Sequence, residues 1–212
     1  MKKFILWVLV LSGIIQYPLS VSAEGYNVSD WAREEIIMPL EEFGIDDFKN
    51  AVNRETFCEI VCKVLDEQGI VLNCYEPFEN PFSDTNNMSV IRLYNAQSYD
   101  PILSGLRVIY GKSDSLFSPD DYITREEAAC IIFRIYQFLN PDIQLNKRPP
   151  VGVFLDDEDI SDWAYTAVYI MASNGVEVMV GDGDNCNYYP KNDISAEQAI
   201  VAVQRLTLLE KE

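Results

Sequence analysis

Ile123-Thr124-Arg125-Glu126-Glu127-Ala128-Ala129 is the stretch from which the fold can be read. It predicts a helix start: the Thr124 hydroxyl caps the first turn and Glu127, three residues on, reaches back to the Thr124 amide. Arg125 then sits in the first turn, where free backbone N–H groups and the helix dipole favour an anion. Ala128, Ile132, Ile135 and Leu139 recur at helical spacing and form one buried stripe. Seventy-one residues before Arg125 stands Arg54, and seventy-one after it stands Ala196. Asn53 and Ser195 are again capping residues, and Ser195 with Gln198 forms a second capping box. The stripe repeats in register as Phe57, Val61, Val64 and as Ala199, Val203, Leu206, and Phe117-Ser118-Pro119 aligns with Tyr188-Tyr189-Pro190. The expectation is a protein of three repeats.

Each copy reads as helix, loop, helix. In the first, Ser29-Asp30 opens a helix running through Trp31 to about Phe43, with a kink or early stop at Pro39. Gly44 ends that segment, and Asn53 opens a second helix that stops near Gly69. Only 22 residues separate Trp31 from Asn53, against 32 between Trp163 and Ser195, so the first copy has a shortened loop. The second copy begins at Phe82-Ser83-Asp84, lacks the tryptophan, and carries an insertion around Ser98 to Ser104 inside the segment Val90 to Leu106. Its second helix runs from Arg125 to about Leu139. The third starts at Phe154, opens a helix at Ser161-Asp162-Trp163-Ala164, and ends in a helix to about Leu209. The expected divisions are a signal peptide at 1–23, repeats at 24–76, 77–141 and 153–212, and a proline-containing linker at 142–152. No copy is long enough to bury both helix faces alone, so the three are expected to pack on one another.

Residues 1–23 have the form of a secretion signal: Lys2 and Lys3, an apolar run from Phe4 to Ile15, and a small-residue site at Val21-Ser22-Ala23. The run is shorter than the ~18–20 residues a membrane span needs. No span is therefore expected after its removal. Net charge is −18, from 34 acidic and 16 basic residues. That balance excludes nucleic acid as a partner, since phosphate binding needs clustered bases. An anionic ligand must be held locally, by a few arginines.

There is no histidine, which excludes histidine triads and histidine metal sites. Of the five cysteines, Cys58 and Cys62 stand four apart on a helix, but no ligands complete a zinc site. An odd number cannot form a closed disulfide framework, and buried free thiols are the simpler reading. Asp182-Gly183-Asp184-Asn185 lacks the spacing of a calcium loop and reads as a tight acidic turn. No metal, cofactor or catalytic constellation is expected. A glycoside hydrolase needs only two carboxylates, but no acid falls in a recognisable catalytic motif.

Phe154, Trp163-Ala164, Ala167-Val168, Gly175-Val176, Gly181 and Tyr189-Pro190, together with Phe117-Ser118-Pro119 and Ile123-Thr124-Arg125-Glu126-Glu127, resemble the S-layer homology (SLH) repeat. The third copy is most similar to SLH repeats of secreted Firmicute proteins. The resemblance implies a mainly α fold of three helix-loop-helix repeats, packed as a pseudo-threefold bundle with grooves between lobes. It also implies non-covalent anchoring to a Gram-positive-type cell wall through pyruvylated secondary cell-wall polysaccharide. The arginine of the Thr-Arg-x-Glu motif would be the principal contact. Carried onto this chain, that role falls to Arg125, in a full motif beside Thr124, and to Arg54 in a divergent setting. Ala196 would leave the third copy without a working site.

Arg125 could instead be a surface residue paired to an acid. Trp31 and Trp163 offer flat faces suited to sugar rings, and equally suit a core or lobe interface. Two further functions remain open: a degenerate SLH scaffold binding envelope proteins, and a wall-associated glycoside hydrolase.

Overall fold

A computed structural model describes residues 25–72, 74, 78–96, 106–140, 154–173, 176–181 and 186–209. The expected signal peptide, the 142–152 linker, the Ser98–Ser104 insertion, Gly175 and the 182–185 turn lie outside the described residues. Within them the protein is mainly α-helical, with no strand beyond isolated bridges. The six α-helices are α1 (Asp30–Glu35), α2 (Arg54–Glu67), α3 (Met88–Asn95), α4 (Arg125–Leu139), α5 (Tyr165–Ala172) and α6 (Ala196–Leu209). Three long helices form the frame: α2 packs on α6 and α3, α4 on α5 and α6, and α1 on α6. The apolar stripes face this centre, with Phe57, Val61 and Val64, Ala128, Ile132 and Ile135, and Ala199, Val203 and Leu206 all buried.

The long helices start where their caps dictate. Asn53 Oδ1 accepts from the Thr56 amide at 2.8 Å. Thr124 and Glu127 close the full capping box on α4. Ser195 N donates to Gln198 Oε1 at 3.2 Å and Gln198 N to Ser195 Oγ at 3.3 Å, so the second box forms too. The short helices depart from expectation. α1 ends at Glu35 and does not continue to Phe43. Pro39 lacks an amide and holds the chain extended, and the next residues form a separate 3-10 turn, Leu40–Phe43. Gly44, at φ 64°, then takes the left-handed conformation that glycine adopts without strain. α5 begins at Tyr165, beyond Trp163, and neither Ser29 nor Ser161 caps the helix that follows it. Their hydroxyls are bonded elsewhere in the fold.

The starts of α2, α4 and α6 are tied to one another head to tail. Val52 N donates to Ile194 O, Ile194 N to Ile123 O, and Ile123 N to Val52 O, at 3.0, 3.0 and 3.3 Å. Two residues on, the amides close a ring that runs the opposite way: Arg54 N donates to Asp121 O, Arg125 N to Asn192 O and Ala196 N to Asn50 O. One residue further, Glu55 N, Glu126 N and Glu197 N donate to Pro119 O, Pro190 O and Phe48 O. The bonds close on themselves as a ring. This corrects the expectation that the first turn around Arg125 offers free backbone donors to an anion. Those donors are spent between segments, because a buried helix end must find partners for its orphan amides.

A second ring of side chains lies outside the first. Glu126 Oε2 and Oε1 accept from Ser161 N and Oγ, both at 3.0 Å. Glu197 does the same for Ser29 N and Oγ at 2.8 Å, and Glu55 accepts from Thr85 Oγ1 at 2.5 Å. Each glutamate on a long helix therefore positions the start of another short one.

Among the described residues, Gln204 is the exception to satisfied buried side-chain polarity. It is buried on α6, and neither terminal atom has a hydrogen-bond partner. Replacing it with leucine, of similar volume, removes the desolvation cost without opening a cavity. Gln204→Leu is expected to raise unfolding stability by about 1–2 kcal/mol, read as a higher urea midpoint at unchanged slope.

Candidate functional site

Two arginines are built into the fold in the same way. Arg125 Nε donates to Tyr188 O at 2.9 Å and Nη2 to Val180 O at 3.0 Å, with the guanidinium over the Tyr188 ring at 4.9 Å. Arg54 Nε donates to Phe117 O at 3.0 Å and Nη2 to Tyr110 O at 2.8 Å, over the Phe117 ring at 4.5 Å. They are only 9% and 6% exposed, so neither is a surface residue paired to an acid. The planar fork suits two carbonyls held at a fixed angle, and stacking on the ring keeps the plane. Ala196 has no such side chain on α6.

Two of these carbonyls, Phe117 O and Tyr188 O, come from a strained turn. Ser118 and Tyr189 hold φ of 59° and 58°, unusual for residues with a side chain. Asp84 compensates by accepting from Phe117 N and Ser118 N at 2.9 and 2.8 Å, and Asp156 from Tyr188 N and Tyr189 N at 2.7 and 2.6 Å. Desolvation works against the Asp84 carboxylate, but these two amides hold its pKa below the usual value. Gly111 and Gly181 complete the loops: a Cβ there would lie 2.4 Å from Leu116 O, or 2.7 Å from Asn187 O. Only glycine allows that approach.

Arg125 borders a cleft of about 370 Å³, walled by α1, α6 and the 178–181 segment. Trp31 on α1, Tyr189, Asp193, Gln198 and Arg205 line it as well. Arg125 Nη1 makes no hydrogen bond among the described residues, and Trp31 is 44% exposed, so a charged donor and an aromatic face share one opening. Arg205 is clamped by Glu35 through two bonds of 2.7 and 2.6 Å. Trp163 is 60% exposed ahead of α5 and does not line this cleft. Thr124 is occupied as the cap, its hydroxyl accepting from Glu127 N at 3.3 Å. The structure thus brings Arg125 and Trp31 together, and separates them from Arg54 and Trp163.

Arg205 was not singled out from the sequence, although its signal is present. Lys63, Arg134 and Arg205 stand seventy-one residues apart, nine residues into each helix from Arg54, Arg125 and Ala196. All three donate to a carbonyl of a segment preceding a loop: Lys63 to Glu42 O, Arg134 to Val108 O and Arg205 to Glu177 O. The three buried thiols are chemically quiet, whereas Cys74 is half-buried and Cys186 exposed, against the expectation of burial. Cys58, Cys62 and Cys130 are free and buried, and burial pushes the thiols of Cys62 and Cys130 up to about 11. Among the described residues no group of three potential metal ligands occurs, and no helix is long and apolar enough to cross a membrane.

Comparison with known proteins places one part of the chain. Residues 102–129, spanning the Phe117-Ser118-Pro119 turn and the start of α4, match the S-layer homology domain. Over 126 residues the chain is 26% identical to an endoglucanase from Bacillus sp. (strain KSM-635). That alignment covers 59% of this chain but 12% of the endoglucanase, so the similarity concerns a small part of the longer protein.

Proposed function

We propose that the chain consists of three S-layer homology repeats closed into a ring, and that it is a secreted, non-catalytic anchor. It holds itself or an attached partner on the cell wall by binding anionic, pyruvylated secondary polysaccharide in the cleft between Arg125 and Trp31. S-layer homology domains are in general cell-wall anchoring modules, and the match at 102–129 covers the segment that carries Arg125. The observation that carries the reading is the pairing of an uncommitted guanidinium N–H with an exposed indole face in one cleft. A carboxylate takes the first and the apolar face of a sugar ring the second. Thr124 acts by positioning the start of α4. Arg54 has no Trp31 beside it and stands as a candidate contact only, and Trp163, 60% exposed, is a further candidate aromatic.

A protein-binding scaffold is favoured by one observation, the alanine at position 196, which leaves α6 without the arginine of α2 and α4. A glycoside hydrolase is the weaker alternative; the match to the endoglucanase covers too little of that enzyme to transfer its activity.

Cosedimentation with purified wall sacculi tests the anchor. The protein is expected to pellet with intact sacculi and remain soluble with sacculi stripped of their secondary polymer. Trp31→Ala, on a half-exposed side chain, is expected to keep the melting temperature and lose pelleting. Equal pelleting with stripped walls would end the polysaccharide reading, and failure to pellet with intact walls would favour the scaffold.

A further inference from the structure

Arg54 and Arg125 are held alike, but the side chains beside them differ at one position of the repeat. Glu127 and Gln198 occupy equivalent places and make the same cap. Glu127 Oε2 accepts from Thr124 N at 3.0 Å, and Gln198 Oε1 accepts from Ser195 N at 3.2 Å. Each side chain has one terminal atom left. On Glu127 it is Oε1, which takes Lys112 Nζ at 3.2 Å. Lys112 lies two residues beyond Tyr110, whose carbonyl holds Arg54. On Gln198 the remaining atom is Nε2, a donor with no hydrogen bond among the described residues, on the wall of the cleft that Arg125 enters.

We propose that Gln198 is the residue that makes the Arg125 cleft selective for an anion, while Glu127, paired with Lys112, closes the Arg54 side to anions. This deepens the wall-binding reading and rests on it. An amide N–H beside a guanidinium offers a carboxylate two converging donors. A carboxylate in the same place would repel the ligand at short range, in surroundings that screen poorly. Asp193 also lines the cleft; Arg205 stands there too but is clamped by Glu35, so Arg125 is the cation that faces it. On the other side Arg54 acts on Glu127: burial tends to raise its carboxyl, and Thr124, Lys112 and Arg54 together hold it below the usual value. A carboxylate thus stands close enough to feel the Arg54 charge, and Lys112 occupies its free oxygen, so Glu127 offers an incoming anion no donor.

The test is calorimetric titration of the protein with a methyl glycoside carrying a pyruvate ketal, using its methyl ester as the uncharged control. One site is expected. Gln198→Glu should weaken binding by about tenfold or more, and Glu127→Gln should add a second site that Arg54→Lys removes. Both exchanges keep the capping oxygen, so melting temperatures check that the fold is intact. Unchanged affinity in folded Gln198→Glu, a single site in Glu127→Gln, two sites in the unaltered protein, or equal binding of the ester would each overturn the proposal. An unaltered protein that binds neither the glycoside nor sacculi would remove the wall-binding reading and this proposal with it. Binding to sacculi together with an indifferent Gln198→Glu would remove this proposal alone.

Discussion

Arg125→Ala is expected to cost about 3–5 kcal/mol of stability, measured as a lower urea midpoint, before any ligand is added. The substitution deletes two charge-assisted hydrogen bonds and leaves Tyr188 O and Val180 O without their donors. It also removes the cation stacked on the Tyr188 ring. Arg125→Lys should lie between, because an ammonium can reach one carbonyl but cannot serve two as a fork. Were Arg125 a ligand contact and nothing more, the midpoint would not move. The consequence for binding assays is direct: loss of wall binding in Arg125→Ala would report unfolding as readily as a lost contact. Trp31 and Gln198, both partly exposed, are the better probes of the cleft. Position 196 shows that the backbone ring tolerates an alanine where the carbonyls were never arranged around a guanidinium.

Glu126→Ala should be nearly as damaging, about 3–4 kcal/mol by the same measurement. Glu126 is 3% exposed, and its carboxylate serves Ser161 N, Ser161 Oγ and Lys191 Nζ, the last at 2.6 Å. Removing it orphans a backbone amide and takes one partner from the solvent-exposed ammonium of Lys191, which keeps Ser161 Oγ. It also frees the approach to α5. Glu126→Gln keeps one acceptor and should lose roughly half as much. If Glu126→Ala melted like the unaltered protein, the contact between α4 and the start of α5 would not be what holds that helix in place.

The parts of this fold that could be read from the chain are those set by neighbours in sequence. Thr124 with Glu127, Asn53 with Thr56 and Ser195 with Gln198 locate the three long helices, because a cap is decided within four residues. Pro39 and Gly44 likewise mark where the first segment must stop and turn, although the helix gives way earlier, at Glu35. Ser29 and Ser161 misled for the opposite reason. Each looks like a cap, but its hydroxyl is claimed by a glutamate more than thirty residues away. The direction of Arg125 could not be read either. Its partners, Val180 and Tyr188, lie beyond the next proline-rich connector, and nothing local distinguishes an arginine reaching a ligand from one reaching a carbonyl. The set Lys63, Arg134 and Arg205 was legible by carrying the period further along the helices.

The hydrogen bonds among Val52, Ile123 and Ile194 also bear on how this molecule comes apart. Repeats stacked in a line have two ends, and they fray from whichever is weaker, one unit at a time. Here every long helix start is both donor to one neighbour and acceptor from another, so none of the three occupies a terminal place. Releasing one helix start breaks two junctions instead of one, and the remaining pair keeps a single junction with two exposed faces. A half-open intermediate is thereby disfavoured, and the three segments are coupled into one melting unit. A single cooperative melting transition is the expected result.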